Sequence, residues 1–170
     1  DDAFEFDGGN VNARVYNNFK YNCKVGASFA PITWGPCYYF RNRGLNLRDP
    51  MFKLGYGSAW SAGWLYAVNN TDVSHISSPS IAHGITNFGT STMNIANHYF
   101  YNNIIDVWGL YVYEVRRPEN TFDYNLIRSF RKDTTPFDAI AVFPAPGQSA
   151  DTRWPDLEAI KAADWTNDQH

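Results

Sequence analysis

Leu110-Tyr111-Val112-Tyr113-Glu114-Val115 alternates aromatic and β-branched side chains up to a single carboxylate, and Arg116-Arg117-Pro118-Glu119-Asn120 closes the run with a charged turn. That pattern predicts a strand of about six residues, central in a sheet. Two more stretches read the same way. Cys37-Tyr38-Tyr39-Phe40-Arg41 is a short buried strand ending in a cation, and Ala139-Ile140-Ala141-Val142-Phe143 is a strand bounded by Pro144 and Pro146. Helical signals lie between them. Pro50 can open and Gly55 cap a one-to-two-turn helix, Trp60, Trp64 and either Leu65 or Val68 recur at helical spacing, and Ile95, Tyr99 and Phe100 share a helical face behind a Thr92 or Asn94 cap. The expected fold class is α+β, with two packed, mainly antiparallel sheets and short flanking helices. Tyr111, Tyr113 and Val115 are expected between the strands near Tyr39 and Ala141.

The chain has 170 residues, enough for one domain with its own core. Residues 1–36, broken by Asn and Gly clusters, read as an N-terminal extension to a core over residues 37–165. A net charge of -3 with scattered basic residues gives no electrostatic footprint for nucleic acid. Aromatic residues make up 17% of the chain, with 11 Tyr and 6 Trp, which suits a β-rich fold and surfaces that grip flat or sugar-like ligands. For Cys23 and Cys37 the simplest pairing is a local disulfide, whose loop of about fifteen residues would contribute roughly 3 kcal/mol through the unfolded state; two buried free thiols are the alternative. Asn69-Asn70-Thr71 is an N-glycosylation sequon. Asp1-Asp2-Ala3-Phe4 carries neither an initiator Met nor an apolar leader, so a mature, secreted protein is expected. No apolar run reaches the ~18 residues a membrane span needs, and His75, His83, His98 and His170 show no paired metal-ligand spacing.

Four segments in order resemble the bacterial mono-ADP-ribosyltransferase toxins of the pertussis and cholera (heat-labile enterotoxin A-subunit) type: Tyr38-Tyr39-Phe40-Arg41, then Pro50-Met51-Phe52-Lys53-Leu54-Gly55-Tyr56, then Thr90-Ser91-Thr92, then Tyr111-Val112-Tyr113-Glu114-Val115. Arg153-Trp154-Pro155 through Trp165 resembles that family's closing unit. The resemblance implies an ADP-ribosyltransferase-like fold with NAD as cofactor. Arg41, or Arg48 in its place, would hold the pyrophosphate through paired, charge-assisted hydrogen bonds. Thr90, Ser91 and Thr92 would floor the nicotinamide pocket.

Breaking the bond between ribose and nicotinamide passes through an oxocarbenium-like state that needs a carboxylate beside the sugar. The resemblance aligns Gln148 with the first position of the family's Glu/Gln-x-Glu pair and Ala150 with the catalytic Glu. Asp151 is the nearest substitute, although side chains alternate along a strand and Asp is one methylene shorter than Glu. Asn42 departs from the family's Asp. Three functions remain: a catalytically impaired, toxin- or effector-like pseudoenzyme that binds a host or partner protein; an active NAD-dependent transferase using Gln148 and Asp151; or a secreted β-rich domain that binds sugar or protein through its Tyr and Trp surface.

Overall fold

The computed structural model of the chain describes residues 1–57, 61–75, 83–89, 96–107, 110–112, 120–129, 141–144 and 151–154. Short strands follow one another at corners and return to the same three directions. The first turn of chain holds β1 (Ala13–Tyr16), β2 (Phe19–Tyr21) and β3 (Ala27–Ser28); the second holds β4 (Cys37–Phe40), β5 (Arg43–Leu45) and β6 (Phe52–Gly57). The third holds β7 (Leu65–Val68), β8 (Thr71–Ser74) and β9 (His83–Gly89), and the fourth β10 (His98–Tyr101), β11 (Ile104–Val107) and β12 (Leu110–Val112). β13 (Thr121–Asp123) and β14 (Leu126–Ser129) begin a fifth. Like strands of successive turns pair in parallel and in register. They build sheets ordered β1-β4-β7-β10-β13, β2-β5-β8-β11-β14 and β3-β6-β9-β12. The result is a parallel β-solenoid, in which each coil buries its inner face only by stacking on its neighbours. β15 (Ala141–Pro144) and β16 (Asp151–Trp154) form a separate antiparallel pair.

The corner between the first two sheets explains why the chain can coil. At each one a residue with left-handed φ, Asn17 (58°), Arg41 (55°), Asn69 (56°), Asn102 (53°) or Tyr124 (56°), turns the backbone, a conformation that Asn tolerates better than most residues. An asparagine then points inward: Asn18, Asn42, Asn70, Asn103 and Asn125 form a ladder up the solenoid. Successive amides are linked at 3.0, 3.3, 3.0 and 2.9 Å. From Asn42 onward each Oδ1 also accepts the backbone N–H of the asparagine one coil earlier, as from Asn42 to Asn70 at 3.0 Å and from Asn70 to Asn103 at 3.0 Å. From Asn42 onward each Nδ2 donates to a strand carbonyl of the preceding coil, Asn70 to Tyr39 and Asn103 to Ala67, both at 3.0 Å. One side chain is thus donor and acceptor at once, which ionised Asp is not. Asn42, which departs from the toxin pattern, is a rung of this ladder.

Beside the ladder lies a large apolar core. Phe29, Ile32, Tyr39, Phe52, Leu54, Leu65, Ala67, Phe100 and Ile105 are fully buried. At the N-terminal end Phe4 and Phe6 pack their rings edge-on to Tyr39, both at 6.2 Å, and residues of that segment bridge to Val25, Ser28 and Ile32. This segment closes the end of the core, as terminal repeats of solenoids do.

The α+β expectation is therefore corrected: among the described residues there is no helix, and the main sheets are parallel, not antiparallel. The segments read as helices contain β6, β7 and β10. Leu65–Val68 shows why: its alternating burial is the period of a strand, and the Trp60/Trp64/Val68 spacing coincides with helical spacing without producing it. Leu110–Val112 is a strand, as expected, but among the described residues it ends the third sheet rather than lying at its centre, and its partner there is β9. Tyr113 to Val115 lie outside the described residues. Tyr39 belongs to a different sheet. Cys23 and Cys37 are both free, and their Sγ atoms lie against the carbonyls of Tyr21 (3.7 Å) and Asn10 (3.8 Å) respectively. The expected disulfide is not formed, because Cys37 points into the core while Cys23 sits at a half-exposed bend. Alkylation of the folded protein without reductant should modify Cys23 within minutes and Cys37 only after unfolding, read by mass.

Candidate ligand-binding face

The strand period divides the first sheet cleanly. Cys37 and Tyr39, Leu65 and Ala67, His98 and Phe100 face inward; Tyr38 and Phe40, Tyr66 and Val68, Tyr99 and Tyr101 face out. Parallel in-register pairing puts Arg14, Tyr38, Tyr66 and Tyr99 into one outward column. Tyr38 and Tyr66 are stacked at 5.3 Å with 11° between their planes, and Tyr66 and Tyr99 at 5.0 Å and 11°. The Arg14 guanidinium lies 5.5 Å from the Tyr38 ring centre, within cation–π range. Since the rings cover one another's faces along the axis, what they leave to solvent is their edges and phenol hydroxyls. Burial, and the phenols of Tyr99, Tyr38 and Tyr101 beside it, push the Tyr66 phenol up from its ordinary value.

Trp64, 48% exposed, stands at the near border of this column. Its ring is 6.0 Å from Tyr99 and 6.4 Å from Tyr66, tilted by 32° and 38°, so its face is not covered by theirs. Gly35 makes this position possible. With φ of +82° it passes so close to the Trp64 backbone that an added Cβ would lie 2.6 Å from the Trp64 carbonyl oxygen. A second outward pair, Tyr16 on Phe40, stacks at 4.9 Å and 9°.

A second concentration of polar chemistry lies inside. Lys20, Gly44 and Asp72 share an inward column of the second sheet. Gly44 leaves room for polar atoms: a Cβ there would lie 3.2 Å from Asp72 Oδ1. The Lys20 ammonium donates to the Tyr39 hydroxyl, and Ser74 Oγ donates to Asp72 Oδ1. Burial lowers Lys20 to about 8 and raises Asp72 to about 6, and it also raises the Tyr39 phenol. All four side chains are 3% exposed or less, so no substrate can reach them. Higher in the core His98 is fully buried, with Nε2 3.5 Å from Ser61 Oγ and Nδ1 unpaired, and burial lowers it to about 3.

Of the residues expected to carry NAD chemistry, Arg41 and Asp151 are among the described residues. Arg41 occupies an exposed left-handed corner, with its backbone N–H on the Val68 carbonyl at 3.1 Å. Asp151 begins β16, opposite Pro144. Thr90, Ser91, Thr92 and Gln148 lie outside the described residues. No group of three or more His, Cys, Asp or Glu able to hold a metal occurs among the described residues. No described helix is long and apolar enough to cross a membrane. The tyrosine column went unseen in the sequence, although a signal exists: Val-Tyr-Asn-Asn at 15–18, Ala-Val-Asn-Asn at 67–70 and Phe-Tyr-Asn-Asn at 100–103 repeat one corner. Comparison with protein-family models, curated proteins and solved structures finds no match for this chain.

Proposed function

We propose that the protein is a carbohydrate-binding solenoid that holds an extended glycan along its axis on the outer face of the first sheet. The observation that carries this reading is the Tyr38-Tyr66-Tyr99 column with Trp64 at its border. Phenol hydroxyls both donate and accept, and here they recur at the strand spacing of about 4.8 Å, close to the advance of one sugar ring in an extended chain. Trp64 adds an uncovered apolar face on which a pyranose ring can lie, and Arg14 supplies a cation at one end. Such a surface binds by many weak, periodic contacts and needs no deep pocket. The NAD-dependent reading depended on a scaffold of two packed antiparallel sheets, and the solenoid offers no such scaffold.

Titration with soluble linear polysaccharides, neutral and acidic, by calorimetry and affinity electrophoresis tests the proposal. Tyr66→Phe keeps the ring stack and removes one hydroxyl, so affinity should fall roughly 2- to 10-fold, the worth of one hydrogen bond. Trp64→Ala should weaken binding by about 10-fold or more, with thermal stability nearly unchanged for so exposed a residue. Absence of binding to every glycan, or wild-type affinity in both variants, sinks the reading.

A further inference from the structure

The third corner of the solenoid reads Asn69-Asn70-Thr71, whereas the others read Asn17-Asn18-Phe19, Arg41-Asn42-Arg43, Asn102-Asn103-Ile104 and Tyr124-Asn125-Leu126. This corner alone pairs an amide at its first position with a hydroxyl at its third, the pattern of an N-glycan acceptor. The fold separates the three side chains so that a group on Asn69 stays outside the closed corner. Asn70 is fully buried in the ladder, bonded to Tyr39 and Asn103. Asn69 is exposed at the tip, with φ of 56°. Thr71 starts β8 in the outward column that holds Arg43 and Ile104.

Asn69 has its backbone N–H committed to the Tyr101 carbonyl at 3.0 Å, while its side-chain amide makes no hydrogen bond to the described residues. Modifying that amide therefore removes nothing from the fold. The surface beside it is also stepped down: Val68 is the one aliphatic member of the outward column Tyr16, Phe40, Val68, Tyr101.

We propose that Asn69 is an N-glycosylation site. In the transfer, Asn69 Nδ2 attacks the anomeric carbon of a lipid-diphosphate-linked oligosaccharide. The C–N bond forms as the bond from that carbon to the diphosphate oxygen breaks. The lipid diphosphate leaves with the electron pair, and one amide proton passes to a base of the transferase. The acceptor must be reached before the coil closes, because in the folded corner the Thr71 N–H is held by the Asn42 carbonyl at 2.9 Å. Afterwards the corner can close around Asn70 with the glycan outside.

The test is cell-free translation of the full chain behind a signal sequence into endoplasmic-reticulum microsomes, followed by peptide-N-glycosidase in heavy-oxygen water. The expected result is a single mobility shift reversed by the enzyme, with the label at position 69. Asn69→Gln and Thr71→Val should abolish the shift, and Thr71→Ser should keep it. Limited proteolysis after release should find the glycosylated chain as resistant as the unmodified one. An unshifted wild-type chain, a shift that persists in Asn69→Gln, or a glycosylated chain that is protease-sensitive overturns the proposal. Because the readout is independent of ligand binding, failure here is distinguishable from failure of the glycan-binding reading.

Discussion

Asn70→Ala is expected to lower the free energy of unfolding by about 4 kcal/mol, near the upper end for a single substitution. The side chain is fully buried and makes four ladder contacts: it accepts from the Asn42 N–H and Asn42 Nδ2, and it donates to the Tyr39 carbonyl and Asn103 Oδ1. Asn42 Nδ2 keeps the Val15 carbonyl, and Asn103 Oδ1 keeps the Asn70 N–H. The Tyr39 carbonyl keeps its place in the β4–β7 ladder, but the Asn42 N–H loses its partner in a place water does not reach. That orphaned group costs about 1–3 kcal/mol, and the other lost hydrogen bonds and the cavity left by the amide add to that. Asn69→Ala, one residue away, should cost only about 1 kcal/mol, the strain of left-handed φ at a non-Gly, non-Asn residue. Urea unfolding followed by far-ultraviolet circular dichroism measures both. Equal losses in the two variants would mean that the ladder contributes nothing beyond the corner geometry.

Between pH 7 and pH 4 two buried groups act in opposite directions, and removing either one should expose the other. His98 is lowered from 6.5 to about 3 by burial. A depressed base contributes stability that is present above its unfolded value and is lost as pH falls toward its folded value. Acidification to pH 4 should therefore remove about 3 kcal/mol through His98. Asp72 is raised from 3.8 to about 6, by burial first and against the Ser74 hydrogen bond and the Lys20 and His75 charges. Its contribution is largest at low pH and is lost as pH rises through the folded value, so the same acidification should return about 2 kcal/mol. Wild type should lose little through this pair. Asp72→Asn should lose about 3 kcal/mol more at pH 4 than at pH 7, while His98→Leu should gain about 2 kcal/mol over the same interval. Contributions common to all three proteins, such as the raised carboxyl of Asp49, cancel in the comparison. Parallel pH profiles in the three proteins would show that neither group changes its proton affinity on folding.

Local alternation is enough to define a strand, because the side chains of successive residues must point to opposite faces whatever the partner. The sequence alone therefore marked Cys37–Phe40, the first half of the 110–115 run and the strand that begins at Ala141, and its aromatic content marked the surface as β-like. Whether neighbouring strands run parallel or antiparallel, and which strand lies beside which, depends on contacts between residues 22 to 33 positions apart, since the ladder asparagines are spaced by 24, 28, 33 and 22. Those unequal insertions hide the repeat from any single period. Asn42 and Asn70 read as loop residues because their polarity is visible in sequence and their partners are not; they are buried because the amide of the next coil meets their hydrogen bonds. The same holds for the face. Tyr38, Tyr66 and Tyr99 are scattered along the chain, and stacking of coils makes them one column. Strand identity is a property of the local chain, whereas register, burial of polar groups and the shared face arise from coil-on-coil pairing, which exists once the tertiary structure has formed.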